Sequence, residues 1–460
     1  MKKKNIIIGS LIAASAFCIT LNTSCKKAIE LDAPGYITAD SAIQTEADLN
    51  ALINSGYFAL AADDYYGGNI QIFNELPADH LNGTALDGDY LAVFSRNSNI
   101  FNSSVNNFYA QMSKPVFQAN VVLAHLDVAS AANKNTITGQ AEFIRAVSMF
   151  DLVRMYAQPY NASTASLPGI PVRTSPDRQA VPRKTIGESY AQIIADLKDA
   201  EAKLPATNGV YATKWSAKAL LAKVYFQMND FTNAYIYAND VIANGGFAFD
   251  ASLFKRYSPN GTTETIFGLV YEANNVQGRF QRLHGFFNTA SGSVPTGRLT
   301  SSFYTAATSN AADTRRTWYK TTNNFFLLGK FDSASFKLPV IHLTELKMIR
   351  AESAAETNAN LTVGIGDMND IINRAYGPGS TFVLPAGTTA ATLKTAARRE
   401  RELELVGEGN RLQELKREGA KGENVTIRGS VYNCPGLIFP FPTNEINYNG
   451  FPQNPIGGCN

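Results

Sequence analysis

Apolar positions recur every three to four residues along most of the chain. Leu49, Leu52, Ile53 and Tyr57 make one stripe of an amphipathic helix. Helical patterns return over residues 105–126 and 140–156. Thr185 and Glu188 then form a capping box. Ile186, Tyr190, Ile193, Ile194 and Leu197 follow as a buried face, and Leu204-Pro205 ends it. Residues 214–244 read as an antiparallel pair turning at Asn229-Asp230. Leu221, Ala222, Tyr225, Ala234 and Ala238 put small side chains where the two helices must approach closely.

That pair resembles a tetratricopeptide repeat, without the Trp and closing Pro of that pattern. Residues 140–156 with 185–204, and 342–357 with 367–376, are weaker copies. The helical period fails twice. Over residues 61–104, turn-formers such as Asp63-Asp64-Tyr65-Tyr66-Gly67-Gly68, Asn82-Gly83 and Asp87-Gly88-Asp89-Tyr90 mix with aromatics. Gly245-Gly246 opens the second break, where residues 266–271 suggest a short strand and Arg279, Phe280, Phe286, Phe287, Trp318, Tyr319, Phe325 and Phe326 follow. The expected fold is mainly α. Tetratricopeptide-like helix pairs (residues 40–60, 105–245 and 340–420) support a loop-rich ligand face (61–104 and 270–335) with a few short strands. Residues 25–460 form a single unit in this reading, and loops on a rigid scaffold are where binding residues concentrate.

Composition, at 45% apolar and 17% charged, fits a large buried core rather than disorder. Lys2, Lys3 and Lys4 form a positive start, residues 6–21 an apolar run, and Asn22-Thr23-Ser24 lead to Cys25. The run is short for a spanning helix. Residues 1–24 therefore read as a lipoprotein signal peptide with Cys25 as the acylated first residue, although Asn22 stands where the usual lipobox has Leu; an ordinary secretory signal is the alternative. Without those lysines the net charge falls from +2 to about −1, leaving no basic field to hold nucleic acid. Cys434 and Cys459 are the other cysteines downstream of Cys25, and an oxidising compartment allows a bridge between them; their spacing alone leaves the pairing open.

HExxH, CxxC, GxSxG and Walker motifs are absent from the sequence, and its four histidines are scattered. His125 and His342 fall on helical patterns, where packing or capping suits them. Asp87 and Asp89, near Asp79 and Asn82, offer calcium-type oxygens, but an ordinary acidic turn explains them better and no metal site is assigned. Aromatics remain. Sugar rings stack their C–H faces on Tyr and Trp while Asn, Asp and Arg fix orientation. Tyr65, Tyr66 and Tyr90 stand near Asp64, Asn69, Asp89 and Arg96; Trp318 and Tyr319 stand near Arg315, Arg316, Asn323 and Asn324. Trp318 is the expected main platform, and Trp215, opening the best repeat, is expected in the core.

Several segments together resemble the SusD/RagB family of lipid-anchored outer-membrane nutrient-binding proteins. Glu400-Arg401, Glu404-Leu405, Glu408-Gly409, Arg411, Leu415 and Arg417 follow its ER…EL…EGxRxxDLxR helix, with Leu412 in place of Trp and Glu414 in place of Asp. Phe439-Pro440-Phe441-Pro442, Glu445-Ile446 and Gln453-Asn454-Pro455 follow its closing P-x-P-x-x-E-I…QNP. Arg145-Ala146, Phe150, Leu152 and Tyr156-Ala157-Gln158-Pro159-Tyr160 follow its RAxxxFxLVxxYGxxPY, with Ala157 for Gly. The charged run near Glu404 reads as ion pairs along one helix, a solvated or domain-bridging face with no catalytic role. The resemblance implies a non-enzymatic surface lipoprotein that captures a polysaccharide or oligosaccharide and delivers it to a SusC-like TonB-dependent outer-membrane transporter. Peptide capture, as in RagB-like members, is the alternative within the family; a glycan hydrolase with carboxylates in 61–104 is the alternative outside it.

Overall fold

Capping residues fix where the helices start. The computed structural model describes residues 42–270, 281–292 and 294–459; the leader and Cys25 lie outside them. From Thr45 onward the described residues cluster as one unit. Its first helices are α1 (Glu46–Leu60), α2 (Asn69–Glu75), α3 (Gly88–Phe94), α4 (Ser103–Ala124) and α5 (Lys134–Tyr156). Then come α6 (Ile186–Lys203), α7 (Lys214–Gln227), α8 (Phe231–Asn244), α9 (Gln281–Phe287) and α10 (Ser301–Thr308). The last are α11 (Leu343–Thr357), α12 (Leu361–Tyr376), α13 (Ala390–Glu404), α14 (Arg411–Ala420) and α15 (Thr443–Asn449). Thr185 and Glu188 close the expected capping box on α6, and His342 caps α11 by accepting from the Glu345 amide. Asn229 takes φ 60° in the turn between α7 and α8, a conformation Asn tolerates better than most residues.

The scaffold runs as a chain of neighbours. α4 packs on α1 and α5, α5 on α6, α6 on α7, α7 on α8, α8 on α11, and α11 on α12 and α13. Each pair buries what one helix cannot, as tetratricopeptide-like stacks do. α5 and α11 are buried almost all round, so they lie at the centre. Arg145 on α5 donates to both Asp196 carboxylate oxygens at 2.7 and 2.8 Å and to Asn120 at 2.8 Å, tying α4, α5 and α6 together. The C-terminal motif is a clasp on the end of α5. Asn454 donates to the Tyr156 and Phe439 carbonyls at 2.7 and 2.8 Å, and Cys434 is bridged to Cys459.

Short strands complete the frame: β1 (Leu81–Asn82), β2 (Pro168–Pro171), β3 (Arg183–Thr185), β4 (Thr265–Leu269), β5 (Arg298–Leu299), β6 (Tyr319–Thr322), β7 (Phe325–Leu328) and β8 (Leu338–His342). The antiparallel order β1-β5-β7-β6 joins the two aperiodic stretches in one sheet, while β4 pairs with β8. Two expectations change. Residues 61–104 hold helices α2 and α3, and every residue of α2 is buried, so no alternation betrays it. The charged C-terminal run is not a solvated face. Glu400, Glu404 and Arg401 are buried, and besides the adjacent Arg399 their partners include Arg315, Arg256, Arg374, Glu352 and Glu414, far away in sequence except Glu414.

Candidate ligand-binding face

The two aperiodic stretches meet where the Gly67-Gly68 turn enters α2 beside α9. The Leu283 amide donates to the Gly67 carbonyl at 3.1 Å. A Cβ on Gly68 would stand 2.7 Å from Arg282 Cβ and 2.8 Å from the Leu283 nitrogen, so a side chain there would push α9 away. This approach sets Arg282 over the first stretch. Its guanidinium donates to Asp64 Oδ1 at 2.6 Å and to Asn69 Oδ1 at 3.3 Å. Asn69 donates to Asp64 at 3.3 Å, and Tyr90 donates its hydroxyl to Asn69 Oδ1 at 3.4 Å. The Tyr90 ring meets Phe73 and Phe286 edge-on, with centroids 5.9 and 5.8 Å away. Burial raises the Tyr90 pKa despite the neighbouring Arg282 cation, so its proton stays on to donate.

Asp64 and Arg282 are about one-third exposed (32% and 33%), Tyr90 is half-buried, and Asn69 is buried beneath them. A carboxylate, a guanidinium, an amide and a phenol therefore converge at one open spot. Such a set exchanges hydrogen bonds with a hydroxyl-rich ligand and offers the edge of a ring. Asp64 is held in place by Arg282 and Asn69.

Other expected site residues go elsewhere. Tyr65 is in the core and donates to Asp151 at 2.7 Å. Tyr66 is half-buried, stacked at a tilt on Tyr65 with centroids 4.6 Å apart. Asp89 caps α4, accepting from Ser103 Oγ at 2.6 Å and the Ser104 amide at 2.9 Å; burial opposes its ionisation, but these bonds hold its pKa low. Arg96 is buried with φ 57°, where its carbonyl lies within 2.1 Å of where a Cβ on Gly436 would stand. Asn323 is exposed, but with Asn324 it forms the β6–β7 turn at φ 51° and 64°, the conformation a tight hairpin demands. Asp79, the other candidate calcium oxygen, is engaged by Arg411 at 2.7 Å from each of two nitrogens; among the described residues no cluster of His, Cys, Asp and Glu could hold a metal.

The two tryptophans differ from expectation in their burial. Trp318, expected as the platform, is only 5% exposed, roofed by Lys330 with its nitrogen 4.5 Å from the ring centroid. Tyr319 is buried beside it at 6%, and Arg315 at 1% belongs to the charge network. Trp215, expected in the core, is half-buried at the first turn of α7 and lines a cleft. Arg282 escaped the sequence reading, since nothing beside it marks it; only the fold brings it to Asp64.

Comparison with known proteins places this geometry in a family. A model described as "Starch-binding associating with outer membrane" matches residues 36–226, and one described as "SusD family" matches residues 192–431. A SusD-like protein P2 from Formosa agariphila is 27% identical over 285 residues, covering 59% of this chain and 53% of that protein. The chain thus spans about half the length of that curated relative. A SusD superfamily protein from Bacteroides thetaiotaomicron shares the fold at TM-score 0.77 and 21% identity, over 90% of this chain and 100% of the other. A laminarin binding SusD-like protein superposes at TM-score 0.69 and 19% identity, over 90% and 100% of the two chains. With one family model matching just over half of its residues, the chain belongs to the SusD family.

Proposed function

We propose that this protein captures an oligosaccharide or polysaccharide at the outer-membrane surface and passes it, uncleaved, to a TonB-dependent transporter. The observation that carries the reading is the Asp64, Asn69, Tyr90 and Arg282 group, partly exposed through Asp64, Tyr90 and Arg282, on the scaffold of a family whose models and relatives are named for starch and laminarin. Its polar groups suit hydroxyls, and Asp64 is held in an ion pair with Arg282.

Calorimetric titration with starch-type and laminarin-type oligosaccharides, beside a peptide panel, tests this. One glycan class should bind without its chain length changing on incubation. Arg282→Ala and Asp64→Ala should each weaken it about tenfold or more, as removal of charged hydrogen-bonding partners does. Both groups are one-third exposed, so stability should change by no more than about 0.5 kcal/mol. Unchanged glycan affinity in both variants moves the site elsewhere, and peptide binding alone favours the RagB-like alternative.

The membrane attachment proposed here is acylation of Cys25, which the apolar run and the small residues before it support. Among the described residues, no helix is long and apolar enough to cross a membrane. Two or more acyl chains anchor firmly where one is marginal. Cys25→Ala should shift the protein from the membrane pellet to the supernatant of transporter-deficient cells; continued pelleting there would refute acyl anchoring.

A further inference from the structure

Away from the Asp64–Arg282 group lies a cleft of about 420 Å³, within the range of small-ligand sites. Its making is local. α6 stops at Leu204-Pro205, and the chain then arches through residues 206–212. Gly209 takes φ +59° in this arch, and the Asn208 side chain donates to the Ala212 carbonyl at 2.9 Å. The arch is pinned from below: the Ala212 amide meets the Tyr57 hydroxyl at 3.1 Å, and the Tyr57 and Tyr211 rings lie 5.3 Å apart. Thr213 caps α7, so Trp215 falls in the first turn, where the helix still faces outward.

Opposite, α8 ends at Gly245. A Cβ there would stand 2.6 Å from the Phe247 ring, so glycine lets Phe247 fold back toward the cleft. Strand β4 supplies the floor. Three rings, Tyr211, Trp215 and Phe247, thus surround one opening. Tyr211 is 36% exposed and Trp215 half-buried. The ammonium groups of Lys214 and Lys218 stand 4.5 and 5.8 Å from the Trp215 centroid, yet neither residue lines the cleft. Among the described lining residues Lys337 is the charged one and is exposed; amides and hydroxyls from Asn208, Asn260 and Thr262 make up the polar part.

We infer that this cleft is a second glycan site, taking a pyranose unit that carries a carboxylate, such as a uronic acid. The rings supply stacking faces, the amides and hydroxyls meet sugar hydroxyls, and Lys337 meets the acid. The inference rests on the glycan reading above but concerns different residues. The single positive charge among its described lining residues distinguishes it from the Asp64–Arg282 group, whose charges cancel.

The experiment uses Trp fluorescence, because the chain has only two tryptophans and Trp318 is buried. The full chain is titrated with a uronic-acid oligosaccharide and with its neutral counterpart, while calorimetry follows total binding. The uronate should shift the emission of the wild type and of Arg282→Ala alike, and should leave that of Trp215→Phe unmoved. Trp215→Ala should weaken uronate binding about tenfold. Lys337→Gln should weaken it about fivefold and leave the neutral sugar unaffected, the scale of an exposed ion pair. Glycan binding by calorimetry with no change in Trp215 emission overturns the inference while the capture reading stands. Equal affinity for both sugars, or an indifferent Lys337→Gln, overturns the acidic specificity. Absence of any glycan binding overturns both readings together.

Discussion

Glu404→Ala should destabilise the protein by about 3–5 kcal/mol, the cost of removing one partner from a buried ion pair. Glu404 is fully buried. It accepts from Arg256 at 2.9 Å, Arg374 at 2.6 Å and Arg315 at 3.4 Å. These arginines come from three separate segments, so one carboxylate at the end of α13 ties the 250s, the 310s and α12 to the C-terminal helices. Without it three guanidinium groups stay buried, with Glu264, Glu400, Glu408 and Asp313 left to balance them. Burial alone would raise the Glu404 carboxyl, but Arg374, Arg256 and Arg315 hold it down at about 2. Its pKa is therefore depressed in the folded state. The stability it contributes is whole above pH 4.5 and drains away as the pH falls toward 2. Urea titrations across that window should show the wild type losing stability steeply. Glu404→Gln, weaker at neutral pH, should lose less over the same range. If both chains unfold at the same urea concentration at pH 7, the carboxylate is not the tie described here.

The scaffold was legible because its helices obey local rules. α1 and α6 show apolar stripes with capping residues in place, and Asn229-Asp230 marks the α7–α8 turn in sequence as in space. α2 was hidden for the opposite reason: Asn69–Glu75 is buried on all sides, so its polar residues face the interior as its apolar ones do. The charges of α13 stand three and four apart in sequence, as helix neighbours would, whereas Arg401 pairs with Glu352 and Glu414, and Glu404 with arginines on other segments. Spacing along a helix says which charges share a face; it does not say what covers that face. The Asp64, Asn69 and Tyr90 part of the proposed ligand group shows in the sequence as turn-formers mixed with an aromatic. Arg282 does not, because its position depends on the Gly68 contact between segments far apart in sequence. Asn323 stands exposed in the β6–β7 turn, where a hairpin and a sugar contact call for the same residue type.

Trp318→Ala should be the other severe variant, a cavity mutation rather than a binding one. The indole is 5% exposed and meets Phe254 edge-on at 6.1 Å. Over it lies Lys330, itself buried, which donates to the Glu404 and Val406 carbonyls at 2.7 and 3.2 Å and to Glu408 at 2.5 Å. Burial pulls the Lys330 ammonium down to about 8 although Glu408 opposes this, so the cation has little to spare. Truncating the ring removes packing worth about 3–5 kcal/mol and strips an ammonium of its aromatic face, worth about 0.5–2 kcal/mol more. Trp215→Ala, at a half-buried site beside open cleft, should cost far less. Equilibrium urea unfolding should therefore place Trp318→Ala well below the wild type and Trp215→Ala close to it. Trp318→Phe should fall between, since it keeps a smaller ring beneath the ammonium. Glycan affinity measured at a temperature where Trp318→Ala remains folded should match the wild type. If that variant is instead as stable as wild type and loses the glycan, the indole is a ligand platform and not part of the packed core.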